Sequence, residues 1–249
     1  MNWSFQLYSA RNTSLAQSLA IVSEAGYTSV EAYRDNFVDT SAFKRALDEH
    51  QLLVPSMHIN IEPLRNEVEQ CMQRARDFGS KHIVCPYLLP AERPIDTKGW
   101  SELISELADH AKRWQDAGFT FAWHNHDFEF IVLPDGAIPM QLILENAPEL
   151  QWEIDVAWIV RANADPLPWV NNYGPRISAV HLKDVAPSGD CADEDGWADL
   201  GYGVVPWAAV MPGLAKAPAT IYAMEHDNPS DLKRFATRSI ASANKLISM

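Results

Sequence analysis

Histidines and carboxylates recur toward the ends of short apolar segments in this 249-residue chain. Glu31 follows TSV, His58 lies in VPSMHIN, and His124-Asn125-His126 closes FTFAWHNH. Asp155 lies in LQWEIDVAW, His181, Lys183 and Asp184 in ISAVHLKD, and Glu225-His226-Asp227 in TIYAMEHD. Imidazole nitrogens and carboxylate oxygens converging on one point form a mixed donor set for Mn²⁺, Mg²⁺, Co²⁺ or Zn²⁺, with carboxylates favouring the harder ions. Cys71, Cys85 and Cys191 are odd in number and widely spaced, so they form neither a CxxC zinc pattern nor a disulfide framework. A lone strand-end histidine is usually a structural hydrogen-bonder and a lone aspartate a loop cap. Asp155, His181 and Glu225 ending three successive segments are harder to explain that way and are read as the core of a divalent-metal site.

The elements that must position these residues repeat as one unit. Candidate strands cover 3–9, 28–33, 54–60, 82–87, 119–126, 150–158, 177–184 and 220–227. Segments with helical signals lie between or after them, at 13–25, 39–51, 63–78, 97–117, 138–147, 166–173, 206–216 and 229–247. Strand–helix alternation implies a parallel sheet, and eight units in about 250 residues predict a (β/α)8 TIM barrel as a single domain over 1–249. A doubly wound sheet would usually carry GxGxxG after its first strand, and none follows WSFQLYS. Barrel active sites lie at the carboxyl ends of the strands, where the polar residues fall. Alternation also turns Ala122, Ala179 and Ala223 inward beneath His124, His181 and Glu225. Glu153 breaks this pattern: it shares a face with Asp155, and needs a histidine or Lys183 as partner, or a proton of its own. The acidic stretch 185–203 is long for a strand–helix loop and is expected to be a functional lid or mobile surface.

Composition narrows the function classes. The chain is 47% hydrophobic and 21% charged, with nine Trp, which fits a sizeable core. A formal net charge of −13 repels a phosphate backbone, so no nucleic-acid partner is expected, and neutral sugars or polyols suit the site better. No stretch is long and apolar enough to span a bilayer, so no membrane partner is expected. No basic start with an apolar run marks a secretory signal, and a reduced cytoplasmic location is the default expectation. A homo-oligomer is compatible with the sequence, which does not specify one.

GYTSVEAY, WHNHDFEF, EIDVAWIVRANADP, RISAVHLKD, DLGYGVVPW and YAMEHD together resemble the sugar phosphate isomerase/epimerase family, the xylose-isomerase-like TIM barrels of the AP endonuclease family 2 superfamily. The resemblance runs from about residue 26 to 227. It implies a divalent metal, manganese first with magnesium, cobalt or zinc as alternatives, held at the ends of strands five to eight. Asp155, His181 and Glu225 match the family's ligands on strands six, seven and eight. Many members place a glutamate where this chain has His124. Either His124 ligates, or Glu129 folds back to do so, or three protein ligands suffice; the matching place on the strand favours His124. The HNH variant resembles the branch of inosose dehydratases and enzymes of 3-keto sugars more than the ketose 3-epimerases.

The implied reaction is proton abstraction next to a carbonyl of a sugar, keto-sugar or cyclitol, as an isomerase or epimerase, with a lyase as the alternative. Glu225, Glu129 or a histidine such as His126 are the candidate bases, and Lys183 is assigned to a substrate oxygen or phosphate. His58 and Glu31 are candidates for substrate hydroxyls, and Trp123 and Trp158 for pocket walls. A non-catalytic sugar-binding barrel is the third class.

Overall fold

The structure, a computed structural model, describes residues 3–247. Eight parallel strands close a barrel: β1 (Trp3–Gln6), β2 (Ser29–Ala32), β3 (Leu53–His58), β4 (His82–Cys85), β5 (Thr120–His124), β6 (Gln151–Asp155), β7 (Ile177–Leu182) and, after a two-stranded hairpin β8 (Asp184–Val185) and β9 (Trp197–Ala198), β10 (Ile221–Met224). The barrel closes where β1 pairs with both β2 and β10. Helices α1 (Leu15–Glu24), α2 (Thr40–His50), α3 (Ile61–Asn66), α4 (Val68–Phe78), α5 (Thr97–Asp116), α6 (Pro139–Asn146), α7 (Val156–Arg161), α8 (Pro166–Tyr173), α9 (Trp207–Leu214) and α10 (Leu232–Leu246) connect or follow the strands. None of the described helices is long and apolar enough to cross a membrane.

Strand alternation sorts the side chains into two environments. Phe5, Val30, Met57, Trp123 and Trp152 face the helices and are fully buried in the apolar shell. The opposite face fills the barrel: Gln6, His58 and His124 from β1, β3 and β5 with His181 from β7, and Glu31 and Glu153 from β2 and β6. Ala179 pairs with Glu153, and Ala223 with His181, so small residues stand where the inward histidines and carboxylates need room.

The expected strands over 3–9 and 150–158 are shorter in the structure. β1 stops at Gln6, whose side chain accepts the Tyr8 N–H and turns the chain into a short 3₁₀ segment. β6 stops at Asp155, whose carboxylate accepts the Trp158 N–H and starts α7. The expected helix over 63–78 is two helices that meet at Glu67, whose backbone leaves the helical region at φ −134°.

The stretch 185–203 is pinned to the body rather than left as free surface. Asp184 pairs with Ala198 and Val185 with Trp197. The Asp184 carboxylate accepts the N–H groups of Val185, Gly201 and Val205 at 3.0, 2.9 and 3.0 Å. Arg234 of α10 binds Glu194 at 2.7 Å and Asp199 at 3.0 Å.

Candidate metal centre

At the mouth of the barrel His124, Asp155, His181 and Glu225 bring one donor atom each within 4.8 Å of one another. Asn125 locks the end of β5 to β6: its Oδ1 accepts the Asp155 N–H at 3.0 Å and the Trp152 indole N–H at 2.8 Å, and its Nδ2 donates to the Asp155 carbonyl at 3.0 Å. With Oδ1 of Asp155 used as the cap of α7, its Oδ2 is buried without a partner among the described residues. Nδ1 of His181 faces Oε2 of Glu225 at 3.0 Å. A nitrogen and a carboxylate oxygen at that separation need a proton or a cation between them, and two ligands about 2.1 Å from one ion stand about that far apart. Two imidazoles, two carboxylates and an orphaned buried oxygen fit a divalent ion. Glu129 is not in this group; His124 is.

A second layer lies under the first, and His58, His124, Glu153 and His181 form a further group with metal-ligand chemistry. Oε2 of Glu153 is 2.7 Å from His58 Nε2, 3.0 Å from His124 Nδ1 and 3.2 Å from His181 Nε2. Oε1 of Glu31 is 2.6 Å from His181 Nε2, 3.0 Å from His58 Nε2 and 2.8 Å from Gln6 Nε2. The partners of Glu153 are thus histidines, not Lys183.

Burial alone would raise the Glu31 carboxyl, but His58 and His181 hold it well below the usual range. Glu153 is pushed up to about 7 by burial and by the Glu31 charge. Burial would lower His58, yet Glu31 and Glu153 lift it to about 10. Asp155 rises to about 7 through burial, partly offset by Lys183. Burial, followed by the neighbouring His181 and His126, holds His124 well below its ordinary value.

A cavity of about 550 Å³ opens above the metal-binding group, lined by His58, His124, His126, Trp158, Trp197, Glu225 and Asp227 among others. Asp155 and His181 are fully buried beneath it. His126 packs between Tyr87 and Trp158, each with its ring centroid 4.9 Å away, and its Nδ1 has no hydrogen-bond partner among the described residues. Trp158, expected as a wall, is one.

Besides Asp155 and His181, four expected site residues do not line the cavity. Glu31 is fully buried, its Oε1 occupied by Gln6, His58 and His181, because the inward face of β2 points into the closed barrel rather than to its mouth. Trp123 faces the helix shell because it is one residue out of phase with His124. Glu129 lies behind the end of β5, where it accepts the Trp123 indole N–H at 3.0 Å and the His126 backbone N–H at 2.9 Å. Lys183 is sealed under Trp197 and Trp158, its Nζ 4.2 and 5.0 Å from their ring centroids, and it binds Glu225 at 3.2 Å and Asp227. His58 does reach the cavity floor, with Nε2 turned to Glu153 and Glu31.

Gln6 and Asp227 matter more here than their sequence context indicates. Gln6 is a lone amide with no motif around it. Asp227 sits in the Glu-His-Asp run, and two-residue alternation from Glu225 was the available signal.

The chain belongs to the xylose isomerase-like TIM barrel family, whose model matches residues 19–245. No curated protein matches the chain by sequence. Its fold is similar to that of a sugar phosphate isomerase/epimerase from Parabacteroides distasonis, with 19% identity and a TM-score of 0.77 over 99% of this chain and 98% of that one. It is also similar to the probable 3-DHS dehydratase AsbF involved in petrobactin synthesis from Bacillus anthracis, at 13% identity and a TM-score of 0.77 over 98% and 99% of the two chains. A D-allulose 3-epimerase from Methylomonas sp., solved in complex with D-allulose, matches at 14% identity and a TM-score of 0.75 over 98% and 96%.

Proposed function

We propose that this protein is a divalent-metal-dependent isomerase or epimerase that moves a proton next to the carbonyl of a sugar, keto-sugar or cyclitol. The observation that carries the proposal is the convergence of His124, Asp155, His181 and Glu225, with Oδ2 of Asp155 buried and unpartnered, directly beneath the cavity. These four residues would hold the ion, and manganese suits their carboxylates and imidazoles first. When bound, a divalent ion there supplies Lewis acidity to a substrate carbonyl and its neighbouring hydroxyl.

The chain's own groups supply the proton chemistry. Glu225 and His126 reach the cavity from different elements, so one can take a proton from a carbon while the other returns it. Burial would raise the Glu225 carboxyl, but Lys183 and His181 hold it well below the usual range and so keep it ionised. Lys183 acts through Glu225 and Asp227, without touching substrate. Glu129 acts through His126, whose backbone N–H it fixes. Trp158 and Trp197 offer apolar faces to the C–H side of a sugar ring. The D-allulose complex of a structural relative supports a substrate of this class.

The test is solvent exchange in deuterium oxide with Mn²⁺, using a panel of ketoses and keto-inositols. Deuterium at the carbon next to the carbonyl without net water loss is expected. Elimination of a β-hydroxyl would move the protein to the lyases, and no exchange across the panel would contradict the proposal.

A further inference from the structure

The lower layer of the barrel is a hydrogen-bond network whose directions follow from one backbone group. The Tyr8 N–H donates to Oε1 of Gln6 at 3.0 Å, which fixes the amide and turns its Nε2 inward. That Nε2 donates to Glu31 at 2.8 Å and lies 3.3 Å from Nδ1 and 3.4 Å from Nε2 of His58. Nε2 of His58 faces Glu153 and Glu31 at 2.7 and 3.0 Å and carries a ring proton between them. Each carboxylate also takes one metal-site histidine from above at its shortest contact, Glu153 from His124 Nδ1 at 3.0 Å and Glu31 from His181 Nε2 at 2.6 Å, with Glu153 a further 3.2 Å from the same His181 nitrogen. The remaining nitrogens face upward. Nδ1 of His181 meets Glu225 at 3.0 Å, and His124, whose Nε2 has no hydrogen-bond partner among the described residues, lines the cavity.

We propose that Glu153 and Glu31 are positioning carboxylates for the two histidine ligands, and that they hold the two rings in opposite tautomers. His124 presents Nε2 to the metal with its proton on Nδ1, and His181 presents Nδ1 with its proton on Nε2. A carboxylate on the far nitrogen fixes ring orientation and raises ligand basicity, and loss of such a partner typically weakens metal binding about 10–100-fold. His58 ties the two carboxylates together, so that the supports of β5 and β7 share one donor. This inference rests on the metal site proposed above and assigns its two least obvious carboxylates a role.

The test uses the zinc-loaded wild-type chain with ¹⁵N-labelled histidine. Long-range ¹H–¹⁵N correlations should show His124 protonated at Nδ1 and His181 at Nε2; the same tautomer at both, or the reverse pair, overturns the proposal. Zinc titration of Glu153→Gln and Glu31→Gln should then show affinities about 10–100-fold below wild type, with the surface control Glu102→Gln unchanged. Wild-type affinity in both variants also overturns it. So does a second zinc equivalent that His58→Ala removes, because the lower layer would then be a metal site itself. Wild-type protein that binds no zinc would instead defeat the metal site, a result distinct from failure of the carboxylates alone.

Discussion

Nδ1 of His124 lies 3.0 Å from Oε2 of Glu153, in a site where both side chains are almost wholly buried. The imidazole is a donor that this carboxylate needs. A glutamate at position 124 would set a second carboxylate against Glu153, and like charges in a buried site disfavour ionisation of both. His124→Glu is therefore expected to destabilise the metal-free protein by about 3 kcal/mol, a fall in Tm of about 6–12 °C. Added Mn²⁺ should recover part of it. Thermal melts with and without metal check this, and an unchanged metal-free Tm would contradict it.

Lys183→Met should be among the most damaging single substitutions. The ammonium is completely buried between Glu225 and Asp227, and removing it leaves those carboxylates uncompensated. Breaking one side of a buried pair costs about 3–5 kcal/mol. Denaturant unfolding should show a loss of that size, with turnover lost because Glu225 no longer has its cation. A stability within 1 kcal/mol of wild type, roughly the effect of a surface pair, would show the lysine to be dispensable.

Asp195 and Trp197, which line the cavity, lie in the stretch that Asp184 anchors. Asp184→Asn replaces a carboxylate that accepts three backbone N–H groups with a side chain that can accept at one oxygen only. Gly203→Ala attacks the same anchor, because a Cβ there would collide with the Asp184 carboxylate and the Val185 carbonyl. Both variants should be cleaved faster by protease within 185–203, at an expected local cost of about 1–3 kcal/mol, and should raise KM more than they lower kcat. Cleavage at the wild-type rate would show that Asp184 does not hold the loop.

Glu129 supplies a pH dependence. Burial pushes its carboxyl from the ordinary 4.5 up to about 8, although the N–H groups of His126 and Trp123 pull the other way. Between those values the folded state holds a proton that the unfolded state has released, so stability falls as pH rises. The slope reaches about 1.4 kcal/mol per pH unit at its steepest. Denaturation at pH 6 and pH 8 should show that fall in wild type and a smaller one in Glu129→Gln. Equal slopes would assign the pH dependence elsewhere.

Most of the barrel was legible because strands and helices alternate with different apolar periods, and the clustering of His124, Asp155, His181 and Glu225 because parity fixes which side of a strand a residue faces. Parity failed where it was not applied: Trp123 neighbours His124 in sequence and for that reason faces away from it. The boundary at Asp155 was hidden because VAWIV is apolar in both strand and helix periods, and only the cap that Asp155 gives Trp158 decides between them. The depth of Glu31 and Lys183 was also out of reach, since it depends on barrel closure and on Trp158 and Trp197 folding over from elsewhere. Glu153 stood out in the sequence as a buried carboxylate in need of a histidine, Lys183 or a proton, and three strands' histidines surround it in the structure.

The metal site itself is tested most directly by titrating the chelator-stripped protein with Mn²⁺ and counting free ion by electron paramagnetic resonance. One equivalent is expected to bind to wild type, and Asp155→Ala, which removes the unpartnered oxygen, should abolish or severely weaken that binding. No bound manganese in wild type, or binding untouched by Asp155→Ala, would contradict a metal centre at His124, Asp155, His181 and Glu225.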